Sequence, residues 1–76
     1  MSVRKLFEEE LEELKDELVQ MCRLTADMIA GATTALLHLD RELGRSIGER
    51  DKQVDEYEMD IEKRCMRILI RRQPVA

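Results

Sequence analysis

The sequence predicts an all-α chain folded as two long antiparallel helices, a helical hairpin. Three observations lead there: an apolar heptad through the first half, a slip of that repeat beside Asp40, and a near absence of aromatic residues. Phe7 and Tyr57 are the two aromatic side chains among 76 residues. The apolar material is otherwise Leu, Ile, Met, Val and Ala, which suits helix-on-helix packing better than a sheet. Charged residues make up 39% of the chain, a level common in amphipathic helices.

The first helix rests on the heptad. Phe7, Leu11, Leu14, Leu18, Met21, Thr25, Met28, Ala32, Ala35 and Leu39 recur at alternating steps of four and three. All but Thr25 are apolar and no proline intervenes, so the pattern predicts one helix over about residues 4–38 with a narrow packing seam. Glu8, Glu9, Glu12, Glu13, Asp16 and Glu17 then form a solvated face, crowded toward the end of the helix where its dipole favours acids. Ala30, Gly31, Ala32 and Ala35 thin the second half. Small residues there admit a close neighbour, at a propensity cost of about 1 kcal/mol for the glycine.

After Leu39 the next apolar positions are Leu43 and Ile47, two steps of four in succession. Asp40 is a good N-cap residue, so the slip predicts a break at about residues 38–41 and a second helix over about 41–71. Its seam reads Ile47, Asp51, Val54, Glu58, Ile61, Cys65 and Ile68. A single unbroken rod satisfies much of the same pattern; the seam shift at a capping residue favours the hairpin. Pro74 disfavours a helical residue before it, which places the stop near Gln73 and leaves residues 72–76 as a tail. Two helices alone leave their flanks wet, so a further helix or a second copy of the chain, most simply a dimer, is expected to complete the bundle.

Composition removes several function classes. The net charge of −4 does not suit nucleic acid. The basic stretch with Lys63, Arg64, Arg67 and Arg71 lies at a helix end, where cations complement the dipole. No apolar run approaches the ~20 residues that cross a bilayer, and the start is too acidic for a signal peptide. The expectation is a cytoplasmic protein without membrane insertion. Cys22 and Cys65 lack metal-ligand neighbours and read as reduced core fillers. The one histidine, His38, has no nucleophile or acid arranged around it, and the three glycines form no phosphate loop. No enzyme is expected, and no catalytic residue.

The segment Asp51-Lys-Gln-Val-Asp55 puts two carboxylates one turn apart on one helix face, and Glu58 and Glu62 extend the column. Like charges at this spacing repel. Two readings stay open: a solvated acidic face beside Lys52 and Lys63, or a carboxylate row of the kind that holds metal ions in helical bundles.

Taken together, several segments resemble the PhoU family of phosphate-transport regulators. They are Arg4 to Leu18, Ala35-Leu-Leu-His-Leu-Asp40, Asp51-Lys-Gln-Val-Asp55, then Glu58, Ile61-Glu62, Cys65 and Arg72-Gln-Pro-Val-Ala76. The resemblance implies a fold of repeated three-helix bundles, of which these residues are the first two helices of one repeat. It implies a negative regulator of phosphate uptake and of phosphate-starvation signalling. Its partners would be the ATPase subunit of the phosphate ABC transporter and the cytoplasmic sensing region of a histidine kinase. It also implies Asp51 and Asp55 as ligands of a divalent or transition metal ion, held weakly by these residues alone, with Glu58 or Glu62 as further candidates. Relatives continue into a third helix that carries a second acidic pair, so an incomplete bundle is expected here, completed by oligomerisation. The heptads alone would equally suit a helical oligomerisation module unrelated to phosphate.

Overall fold

The computed structural model describes residues 2–72. Helix α1 spans Val3–His38 and helix α2 spans Arg41–Arg71, each within a residue of the expected bounds. The Ser2 hydroxyl accepts the Lys5 backbone N–H at 3.1 Å and starts α1. Leu39 ends it in the left-handed region, φ 52° and ψ 39°, and the cap N–H groups reach the carbonyls of Ala35 and Leu36. An L-residue adopts that conformation at a cost of roughly 1–2 kcal/mol, and glycine is the usual occupant. Asp40 then caps α2: its Oδ1 accepts the Leu43 N–H at 3.0 Å. Two residues therefore reverse the chain, and the unbroken rod is excluded. The stop expected from Gln73 and Pro74 falls outside the described residues.

The helices run antiparallel and form a slab of 58 × 18 × 16 Å. Pairings along it fix the register: Arg72 lies over Phe7, Arg64 meets Glu17, and Ile47 meets Gly31. The centre of the interface repeats every seven residues on each helix. On α1 it is Phe7, Leu14, Met21, Met28 and Ala35; on α2 it is Ile47, Val54, Ile61 and Ile68. Ala35, Ile47, Ile61 and Ile68 are the buried side chains among the described residues.

Four of the ten expected α1 seam positions are elsewhere. Leu11, Leu18, Ala32 and Leu39 are exposed, and Glu10, Glu17, Leu24 and Gly31 take the positions beside α2. Both sets lie one step from the central column, three or four residues on, so the heptad alone does not say which side the helix turns inward. On α2, Asp51 and Glu58 are exposed instead of seam residues, and Leu43, Ser46, Tyr57 and Arg64 are half-buried. Cys22 is exposed, not a core filler, whereas Cys65 is half-buried.

Gly31 sets the helix separation near the turn. A Cβ there would stand 3.0 Å from Ile47 Cδ1 and 3.3 Å from its Cγ1. Gly31→Leu should therefore destabilise the hairpin by about 1–3 kcal/mol in chemical denaturation, although leucine is the better helix former. A stabilised variant would show that α2 does not press on this position.

Candidate interaction surface

The two long edges of the hairpin are built differently. Three residues after the central column come Glu10 and Glu17 on α1, and Arg64 and Arg71 on α2. In an antiparallel pair these flanks share one edge, and ion pairs close it. Arg64 Nη1 donates to Glu13 Oε2 at 2.8 Å and its Nε is paired with Glu17 Oε1. Arg71 Nη1 donates to Glu10 Oε1 at 2.6 Å. At the mouth of the hairpin the Arg72 guanidinium sits 4.8 Å from the Phe7 ring centre and 3.9 Å from Glu10 Oε1. The hydrogen bond to Glu13 lifts Arg64 above the ordinary guanidinium range, partial desolvation opposes it and the charge of Glu17 adds to it. Arg64 is therefore charged at neutral pH. Glu17 Oε2 and Arg72 Nε are buried and make no hydrogen bond among the described residues.

The other edge is open. Four and eight residues after the central column, α1 carries Leu11, Leu18, Cys22, Ile29 and Leu36, all exposed. On the matching side of α2 lie Asp51, Asp55, Glu58 and Glu62, followed by Cys65 and Leu69. This arrangement inverts what a free-standing hairpin favours, because glutamates occupy the interface while leucines face solvent. The accessible surface is 6434 Å². A compact protein of 8.9 kDa exposes about 4,800 Å², so roughly 1,600 Å² more than usual is left uncovered.

The acidic pair expected to bind metal lies one turn apart on α2, as its spacing requires, but both residues are exposed on the open edge and Asp51 is not on the seam. Glu58 and Glu62 continue the same side. Among the described residues no group of three or more His, Cys, Asp or Glu side chains gathers to hold a metal ion. A hard cation needs about six oxygens, so Asp51 and Asp55 by themselves do not form a closed site. His38 ends α1, where it complements the dipole. The ion-paired edge was not legible as a site. Glu13 and Glu17 read as part of a solvated face and Glu10 is not singled out, and only the antiparallel register reveals their arginine partners.

Comparison with known proteins adds a family. Residues 18–76 match the model of the PhoU domain. A phosphate-specific transport system accessory protein PhoU homologue of Pseudomonas putida is 38% identical over 74 residues, which cover 97% of this chain and 29% of that protein. The homologue of Aquifex aeolicus is 40% identical over 72 residues, 95% of this chain and 32% of that protein. The accessory protein PhoU of Escherichia coli K12 is 33% identical over 70 residues, 92% of this chain and 29% of that protein. The chain thus spans less than a third of the length of these relatives. No solved structure matches it. No described helix is long and apolar enough to cross a membrane.

If the ion pairs hold one edge shut, Arg64→Met should lower the melting temperature by a few degrees at low salt. The difference should shrink in molar salt, where exposed charges are screened. A variant that melts with the parent at every salt concentration would show that the arginine contributes packing alone.

Proposed function

The chain belongs to the PhoU domain family, and on that premise we propose that it is part of a regulatory accessory protein of phosphate transport, an adaptor without catalysis of its own. It acts by protein–protein contact and restrains phosphate uptake and phosphate-starvation signalling. The relatives' names supply the link to phosphate transport. The observation that carries the contact mechanism is the open edge, where leucines stand exposed while glutamates fill the helix interface. Apolar side chains held out in this way are a binding surface that awaits a cover. The partners this reading names are the transporter's ATPase subunit and the sensor kinase's cytoplasmic region. The protein works in the cytoplasm, where both present themselves.

Purified ATPase subunit and kinase cytoplasmic region should each be titrated with the chain and with Leu11→Glu/Leu18→Glu. Binding by the parent and a loss of about tenfold or more in the variant, with helicity and melting retained, is the expected result. Association of the chain with itself, and with neither protein, would point to the oligomerisation module instead.

The same edge bears on metal. Asp51 and Asp55 would supply carboxylates to a divalent or transition metal ion, whose remaining ligands come from whatever covers the edge. Mn²⁺ or Zn²⁺ titrated into the chain alone should bind weakly, and Asp51→Asn/Asp55→Asn should abolish even that. Equal binding by parent and variant would make the pair a solvated acidic face.

A further inference from the structure

The reversal of the hairpin is both short and strained. Leu39 holds the left-handed conformation, φ 52°, that glycine usually occupies, and its side chain stays 82% exposed, so no packing offsets the cost. Asp40 follows in an extended conformation, and α2 starts directly after it. Two non-helical residues thus join helices of 36 and 31 residues. Short hinges under strain favour the exchange of an element between identical chains.

The register makes such an exchange simple. Phe7 faces Arg72 and Gly31 faces Ile47, so the midpoint of the antiparallel pairing falls at Leu39 and Asp40. A second copy related by a twofold axis through the turn can offer its α2 to this α1 with every pairing kept, from Ile47 on Gly31 to Arg64 on Glu13 and Glu17. Only another copy of the chain carries that complementary face. Ala35, Leu39, Leu43 and Ile47 follow at steps of four, so a helix running through the turn joins the central columns of α1 and α2 by one apolar stripe. Each step turns the stripe by about 40°, so the two chains wind about each other where they cross. Against the exchange stand the Asp40 cap on Leu43 and the entropy of association, which leave the hairpin as the form of the dilute chain.

We propose that at high concentration the chain forms a domain-swapped dimer, in which the turn extends and α1 of each copy packs on α2 of the other. Each half of that dimer repeats the hairpin with its ion-paired edge and its open edge, so the proposal stands apart from the adaptor reading. The test uses Gly31→Cys/Ile47→Cys in a Cys22→Ser/Cys65→Ser background, where the smaller side chain at position 47 makes room for the one at position 31. The chain is melted and cooled at micromolar and at millimolar concentration, and monomer and dimer are separated by size. Dibromobimane, which bridges neighbouring thiols, should link the two thiols within one chain in the monomer and between two chains in the dimer, as read on a denaturing gel. Adding Leu39→Gly should weaken the dimer about tenfold or more, because glycine holds the turn without strain and each dimer opens two turns. The same variant should melt as a monomer no lower than its parent. A dimer linked only within its chains would consist of two intact hairpins and would overturn the exchange. Absence of a dimer at millimolar concentration, or a Leu39→Gly dimer as stable as the parent's, would also overturn it.

Discussion

Arg64 reaches from α2 across to Glu13 and Glu17 of α1, and that reach marks the side toward which the two helices roll. An antiparallel pair can roll either way about its central column, because the flanks three and four residues on are both one step from the centre. Rolling toward Leu11 and Leu18 would bury more apolar surface. Rolling toward Glu10 and Glu17 gains the paired arginines and moves the leucines outside. The chain takes the second course. For an isolated hairpin that choice is poor, since exposed ion pairs contribute little while buried leucines contribute most. It is reasonable where another surface is to take up the leucines.

From that roll follow the two unlike edges. One is charged, cross-braced and self-contained, with Arg71 on Glu10 and Arg72 over Phe7 extending the brace to the mouth. The other sets an apolar column of α1 beside an acidic column of α2, and neither has a partner among the described residues. The thin core agrees with this division of labour: among the described residues four side chains are buried. The close approach at Gly31 and the two-residue reversal at Leu39 and Asp40 keep the register fixed despite so small a core.

Much of the fold was legible because it depends on local rules. The heptad, the capping aspartate and the absence of interior proline place both helices to within a residue, and Gly31 reads correctly as a point of close approach. The roll was not legible, since apolar periodicity alone assigns Leu11 and Leu18 inward and cannot anticipate arginines some fifty residues away. For the same reason Asp51 and Glu58 read as seam positions, though they lie on the open edge. Asp51 and Asp55 do share a helix face as their spacing requires, but a ligand set depends on groups brought in from elsewhere, which no spacing within one helix can supply. The family link, in contrast, came from ordered segments over nearly the whole chain and needs no knowledge of the roll.

The antiparallel register underlies every statement about edges, and the native cysteines can report it directly. Cys22 and Cys65 lie 43 positions apart in sequence, by subtraction of their numbers. In the hairpin their Cα atoms should be about 15 Å apart, combining roughly eight residues of axial offset with the spacing of packed helices. In a continuous helix the separation would be about 65 Å at 1.5 Å per residue. Spin labels on the two thiols, read by pulsed dipolar spectroscopy in a dilute sample mixed with excess unlabelled chain, should give a single distribution below about 30 Å, label arms included. A distribution centred near 60 Å or beyond would contradict the hairpin and everything drawn from its edges.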